Sequence, residues 1–229
     1  MTMQMAIQAK GRAIVFASDT KIRTADKALT SDGWVPDKVV NHGKVVISSR
    51  HDIAVALAGN SDQYEDPAQE LADYLAEQDN IPDFLGPLLV KWGNEYFQKK
   101  FPGQKHEFPL CQLLVVNPKC QYCQLWRLLV SHNSHEQSSE RYILNGNARS
   151  AVVFWPEYFR CDKTVYDLHQ VTAIAATTIL MEGELNPYGV GGLEVWQFDG
   201  TWNLVPPVEI ERLANKFKDL RESLRLAVS

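Results

Sequence analysis

The sequence predicts an α+β protein in which antiparallel sheets are covered by helices. Short segments in which apolar and polar residues alternate are joined by tight turns, a pattern typical of β-hairpins. Longer segments carry apolar residues at helical spacing, which predicts amphipathic covering helices. The elements come in blocks, with strands first, then two helices, then strands again. This order fits covered antiparallel sheets better than a fold in which single strands and helices alternate.

A hairpin is the first predicted element. Apolar and polar residues alternate over 3–8, and an extended apolar run follows at 13–17. Lys10 and Gly11 predict a two-residue turn between them, since Gly adopts positive φ easily. Paired positions then sum to 21, which places Ile7 opposite Ile14, Met5 opposite Phe16, and Thr2 opposite Asp19.

Further strands and helices follow along the chain. Residues 20–43 are polar, with a turn at 33–36, and predict an irregular loop; residues 131–140 predict a polar linker. We expect strands at 44–47, 53–58, 111–116, 124–130, 142–144, 193–198 and 202–205. We expect helices at 67–77, 82–100, 164–181 and 208–226, with Gly183 as a cap at the end of the third.

Composition places the chain among ordinary globular proteins. Its 229 residues are 45% apolar and 22% charged, and 23 basic against 28 acidic side chains give a net charge of −5. We expect one domain over residues 1–229. No basic cluster suits nucleic acid, and no apolar stretch reaches the ~20 residues of a membrane span. Without a visible secretory signal, we expect a cytoplasmic protein whose four cysteines are reduced thiols.

Thr2 is the most suggestive single residue. Methionine aminopeptidase removes Met1 when the next residue is small, and Thr2 would then carry a free α-amine beside its hydroxyl. Such a residue is a nucleophile with its own base, because an α-amine with a pKa near ~8 is partly neutral at cytoplasmic pH. Many unrelated proteins also begin with Met-Thr, so this signal needs support from other residues.

Two charged residues support a site at Thr2. The predicted hairpin register holds the Asp19 carboxylate beside Thr2. Lys44, at the start of the next hairpin, could pair with that carboxylate and lower the proton affinity of the Thr2 hydroxyl and amine. The ordinary alternatives are a turn carboxylate for Asp19 and a solvated strand end for Lys44.

Several segments match one known family in the same order. The early ones are Thr2 with its hairpin, residues 14–21, 44–47 and 54–59; the later ones are residues 144–148, the helix at 164–181 and the glycine-rich turn at 188–192. Together they resemble the β-type subunits of proteasomes and bacterial proteasome-like proteins. The resemblance covers residues 2–60 and 142–198.

The resemblance implies both a fold and an activity. The fold would be the N-terminal nucleophile (Ntn) hydrolase sandwich, four αββα layers with two antiparallel sheets inside, and the subunits would assemble into rings. Thr2 would be the nucleophile with its amine as base, Asp19 and Lys44 the supporting pair, and the Gly59 amide the oxyanion donor. The substrate would be a peptide or another amide, with no cofactor and no metal.

Three departures from the family pattern bear on the activity. Asn145-Gly146-Asn147 replaces a Ser-Gly-Ser loop; Asn186 and Gly189 or Val190 replace an Asp and a Ser; and Lys21 replaces an Arg. They favour an alternative, a non-catalytic ring subunit or binding scaffold. A third alternative is an Ntn enzyme that acts on a non-peptide amide or transfers the acyl group to an amine.

Other potential ligands and acids have ordinary explanations. Cys120, Cys123, His132 and His135 are zinc-type residues, but the spacer between the pairs is an apolar strand, and we expect no metal there. Glu182 and Glu184 flank a predicted helix cap and are expected to be solvated surface carboxylates.

Overall fold

A computed structural model of the chain describes most of its residues. The described residues are 2–23, 27–30, 33–36, 39–41, 43–59, 67–82, 84–103, 111–118, 124–129, 134–137, 141–146, 156–157, 159–186 and 190–228. The strands are β1 Met3–Gln8, β2 Ile14–Ser18, β3 Lys21–Arg23, β4 Lys27–Thr30, β5 Gly33–Pro36, β6 Val39–Asn41, β7 Val45–Ile47, β8 Ala54–Gly59, β9 Cys111–Asn117, β10 Gln124–Leu129, β11 Ser134–Gln137, β12 Tyr142–Gly146, β13 Glu194–Phe198 and β14 Trp202–Leu204. The helices are α1 Pro67–Glu77, α2 Gly86–Lys100, α3 Leu168–Leu185 and α4 Pro207–Val228.

Two five-stranded antiparallel sheets form the centre of the fold. The first sheet has the order β12-β1-β2-β13-β14 and the second the order β11-β10-β9-β8-β7. Every neighbouring pair within them is antiparallel. The chain is therefore α+β, as its sequence predicts.

Each sheet buries one face under helices. On the first sheet, Met3, Met5 and Ile7 of β1 pack with Ala175 and Ile179 of α3. On the second sheet, apolar residues of β8 and β9 pack with residues of α1 and α2, which include Leu71, Leu75, Leu89, Trp92 and Tyr96. Burying an aliphatic side chain of this size stabilises the fold by ~1.5 to 3 kcal/mol.

A third cluster joins the two sheets. It contains Ala6 and Phe16 from the first sheet and Ala56, Leu114 and Val116 from the second. Alternate residues of β1 thus serve different layers, since the odd positions face helices and Ala6 faces the other sheet. The start of β1 and the end of β2 lie next to the residue that precedes β7, because Lys44 contacts both Thr2 and Asp19.

The register of the first hairpin differs from the predicted one. Ile7 pairs with Val15 and Met5 with Ala17, so paired positions sum to 22 and the predicted pairs Ile7 with Ile14 and Met5 with Phe16 are wrong. The cause is the turn, a 3-10 segment over Lys10–Arg12 in which Gly11 has a φ of 76° and Arg12 a φ of 71°. A three-residue loop shifts every pair by one position.

Two polar segments are more ordered than predicted. Residues 20–43 contain β3 to β6, in which β3 pairs with β6 and β4 with β5, so the expected turn at 33–36 is a strand. The expected linker at 131–140 contains β11, which pairs with β10. Antiparallel pairing needs backbone donors and acceptors only, so polarity on both faces does not prevent it.

The predicted bounds are confirmed for α1 and are wrong for α3. α1 spans Pro67–Glu77 as predicted. α3 begins later than predicted, because Asp167 caps it and forms a reciprocal capping box with Gln170. It also continues through Gly183 to Leu185, and its C-terminal cap is Asn186 rather than Gly183. Among the described residues, no helix is long and apolar enough to span a bilayer.

Candidate active site

Thr2, Asp19 and Lys44 meet where the two sheets adjoin. The Lys44 ammonium lies 2.9 Å from Asp19 Oδ2 and 3.2 Å from Thr2 Oγ1, and it donates a hydrogen bond to each. The Asp19 side chain is fully buried, and the Lys44 side chain is 8% exposed. One cation is therefore held between a carboxylate and a hydroxyl with little access for water.

Asp19 reaches this position although it pairs with Met3 rather than Thr2. The Asp19 amide donates to the Met3 carbonyl at 3.0 Å, as in a regular ladder. In return, Met3 N–H donates to the Asp19 carboxylate at Oδ1, 2.9 Å away. The Asp19 carboxylate thus replaces its own backbone carbonyl as the acceptor for Met3 N–H, so its side chain bends back towards β1. This bend brings it to the Lys44 that also contacts Thr2, so the one-residue shift does not separate the three groups.

Burial sets the electrostatics of the pair. Burial raises the pKa of the Asp19 carboxyl above its usual value, while the Lys44 charge and the Met3 amide act in the opposite direction. Burial also lowers the pKa of Lys44, while the charges of Asp19 and Glu194 oppose that change. Each group is costly to bury alone, and the pair makes both charges tolerable.

Glu194 is a site residue that the sequence analysis missed. It starts β13, pairs with Ser18 and is 8% exposed. Its Oε1 accepts hydrogen bonds from the backbone amides of Lys44 and Val45. The alternation of β13 carried a signal. Glu194, Trp196 and Phe198 are spaced by two and so lie on one face of the strand, and Trp196 and Phe198 pack between the sheets. A carboxylate at such a position needs donors.

Gly146 packs directly against Thr2. It has a φ of 93°, and a Cβ on it would lie 1.9 Å from the Thr2 carbonyl oxygen and 3.6 Å from Ala58 Cβ. Only a glycine fits here, since both the conformation and the space exclude a side chain.

Gly59 follows Ala58 at the end of β8, where it pairs with Cys111. The predicted role of its amide as an oxyanion donor stays a prediction.

The residues that depart from the family pattern have other partners or are not described. Asn145 is buried and donates to Gln4 Oε1 at 2.7 Å, and Gln4 donates in turn to the Leu57 carbonyl of the second sheet. Asn186 is buried at the end of α3, and Val190 is in the core next to it. Asn147 and Gly189 lie outside the described residues.

Other candidate ligands and acids lie away from this site or are not described. Cys120, Cys123 and His132 lie outside the described residues, and the described part of the chain contains no cluster of metal-binding side chains. Burial and the neighbouring Asp162 raise the pKa of Cys161 to about 11, so its thiol is unreactive at neutral pH. Glu182 was expected in solvent but is fully buried in α3. Its carboxylate accepts a hydrogen bond from the side-chain amide of Asn186.

Two solved structures are similar to the chain over nearly its whole length. One is titled Anbu (Gly-1) mutant from Hyphomicrobium sp. strain MC1, with a TM-score of 0.67, 10% sequence identity, and coverage of 98% of this chain and 97% of that one. The other is Anbu (ancestral beta-subunit) from Yersinia bercovieri, with a TM-score of 0.68, 15% identity, and coverage of 98% and 96%. No protein-family model and no curated protein sequence matches the chain. At such identities the similarity establishes a shared fold.

Proposed function

We propose that the chain is a proteasome-like threonine hydrolase of the Ntn type that cleaves a peptide or other amide bond through Thr2. The observation that carries the proposal is the 3.2 Å contact between the Lys44 ammonium and Thr2 Oγ1. A cation at hydrogen-bond distance from a hydroxyl favours its deprotonated form, which is the nucleophile. The fold shared with a protein titled an ancestral β-subunit is consistent with this chemistry.

In the proposed reaction, the chain is cut before Thr2, so that Thr2 carries a free α-amine. Thr2 Oγ attacks the substrate carbonyl carbon, and its proton passes to that amine. The amine of the substrate leaves with a proton, and an ester remains on Thr2. Water then releases the acyl group, with the α-amine as base. Asp19 keeps the Lys44 ammonium charged and fixed beside Oγ1 throughout.

The proposal includes the architecture around the site. We place one domain over the whole chain, in four αββα layers, assembled into rings in the cytoplasm. The three apolar clusters, one beneath each helix layer and one between the sheets, support the layer order. The wide coverage of the two similar structures supports a single unit.

Intact mass and covalent labelling test the activity. We expect the native protein to lack Met1 and to gain the mass of one acyl group from a β-lactone, an electrophile that acylates hydroxyl nucleophiles. Thr2→Ala should abolish labelling and hydrolysis. Thr2→Ser should keep part of both, since Ser retains the hydroxyl and loses the methyl group that restricts χ1. Thr164→Ala, which removes an exposed threonine hydroxyl, is the control and should label like the wild type.

A non-catalytic subunit is the second candidate. The observation in its favour is Asn145, which stands where the family has a serine and binds Gln4 instead of reaching the Thr2 amine. Retention of Met1 in the native protein would refute the hydrolase and leave this candidate. So would undiminished labelling of the Thr2→Ala variant.

A further inference from the structure

Glu194 connects the candidate site to both sheets. Its Oε1 accepts from the amides of Lys44 and Val45, and its Oε2 accepts from the Trp196 indole N–H at 3.2 Å. All of these partners are donors, which suits an ionised carboxylate that can only accept. Both carboxylate oxygens therefore have hydrogen-bond donors, although the side chain is almost completely buried. Burial raises the pKa of Glu194 above its usual value, and these donors and the Lys44 charge act in the opposite direction.

The backbone that Glu194 binds is the segment that delivers Lys44. Glu194 belongs to β13 of the first sheet, next to Ser18 on β2, whereas residues 43–45 lead into β7 of the second sheet. Gly43 also lies close, since a Cβ on it would be 3.1 Å from Oε2. The carboxylate thus binds two consecutive backbone amides across the gap between the sheets and leaves little room for a side chain at Gly43. One of these amides belongs to Lys44, whose side chain reaches Thr2.

We propose that Glu194 is a positioning residue for the chemistry at Thr2. It fixes the backbone of Lys44 so that the ammonium reaches Thr2 Oγ1, and its negative charge adds to that of Asp19 in favouring the protonated form of that ammonium. This inference rests on the proposed function and goes beyond it, because Glu194 belongs neither to the nucleophile nor to the Asp19–Lys44 pair.

Two carboxylates face Lys44 from the described elements around it, Asp19 at the end of β2 and Glu194 at the start of β13. Burial lowers the pKa of Lys44, and the two negative charges raise it. Loss of the Glu194 charge therefore lowers the pKa of Lys44 further. Activity that needs a charged Lys44 would then be lost at a lower pH, so the basic limb of the pH profile moves towards neutral.

Three substitutions separate charge from reach. Glu194→Gln keeps the acceptor oxygen near Lys44 and removes the charge; we expect the basic limb to move down by about half a pH unit or more. Glu194→Asp keeps the charge and shortens the reach; we expect an unshifted limb with a lower kcat. Glu194→Ala removes both, and we expect kcat to fall about ten- to a hundredfold with KM nearly unchanged. Asp199→Asn, an exposed carboxylate at the other end of β13, is the matched control.

A measurement that does not need hydrolysis keeps this inference separate from the proposed function. The Lys44 ammonium is titrated by nitrogen-15 NMR, and the Nζ to Oγ1 distance is measured in crystals of each variant. We expect a lower pKa for Lys44 in Glu194→Gln and a broken Lys44–Thr2 contact in Glu194→Ala.

If neither the Lys44 pKa nor the Lys44–Thr2 distance changes, the inference is overturned even if the wild type hydrolyses substrate. If the wild type is inactive, the proposed function fails, and these two measurements still decide the role of Glu194. Should Glu194→Ala not fold, the Gln and Asp variants decide.

Discussion

At the scale of single residues, the buried Asp19 carboxylate depends on Lys44 as its cationic partner. We expect Lys44→Met to lower the free energy of unfolding at pH 7 by about 3 to 5 kcal/mol, because it leaves a fully buried carboxylate without its cation. Urea unfolding measures this loss. Lys91→Met is the control, since the Lys91–Glu95 pair is exposed and such pairs contribute only about 0.5 kcal/mol. Equal losses in the two variants would contradict the pairing.

The pH dependence of the same variant has a definite sign. Burial raises the pKa of the folded Asp19 carboxyl above its usual 3.8, so the folded chain holds that proton to a higher pH than the unfolded chain. A carboxyl of this kind lowers the free energy of unfolding as pH rises through the window between the two values. Without Lys44 the pKa of Asp19 rises further and the window widens. We therefore expect the gap between wild type and Lys44→Met to be smallest in acid and to grow as pH rises.

At the scale of elements, the turn between β1 and β2 shows the limit of sequence-based prediction. The alternation over β1 predicts the strand, and Gly11 predicts the turn. The length of the turn depends on Arg12, which adopts a left-handed conformation that leaves no mark in the sequence. The predicted site residues still meet although the predicted register was wrong. The Asp19 side chain, rather than its backbone carbonyl, accepts from the Met3 N–H, and its other oxygen binds Lys44. Glu194 was missed because its donors are backbone groups 149 and 150 residues away.

Two glycines with positive φ give a testable prediction at this scale. Gly11→Ala meets no atom within 4 Å and pays only for a left-handed backbone, so we expect a loss of about 1 to 2 kcal/mol. Gly146→Ala must also displace the Thr2 carbonyl, so we expect a larger loss and slower covalent labelling of Thr2. Urea unfolding and labelling rates compare the two variants. Matching behaviour would mean that Gly146 does not hold Thr2 in place.

At the scale of the whole molecule, self-association into rings stays a prediction. The aromatic side chains of α2 offer no surface to a partner, because Trp92, Tyr96 and Phe97 are buried within the chain. The prediction now depends on the family resemblance. We expect light scattering to give a mass that is a multiple of 25.9 kDa at micromolar concentration. A clean monomer would contradict it.

The two sheets should unfold together. The cluster that contains Ala6, Phe16 and Leu114 leaves the inner face of either sheet exposed if the other sheet opens. A single cooperative transition is the expected consequence, and hydrogen exchange would measure it as equal opening free energies at amides in β2 and β9. Unequal values would indicate that each sheet with its helices is a separate unit, and the single domain over residues 1–229 would be wrong.

A hydrogen bond between the sheets allows this coupling to be tested with one substitution. Trp202 of β14 donates its indole N–H to the Asp52 carbonyl, beside β8 of the second sheet, at 2.6 Å. Trp202→Phe removes the donor, and we expect about 1 to 3 kcal/mol less protection against hydrogen exchange. The loss should be the same in β2 and β9, because a cooperative unit distributes a local loss over all of its amides. Leu204→Ala, at a half-exposed position in the same strand, should change protection by less than about 0.5 kcal/mol. If Trp202→Phe lowers the protection against exchange only at amides of the first sheet, the two sheets unfold independently and the cooperative interpretation fails.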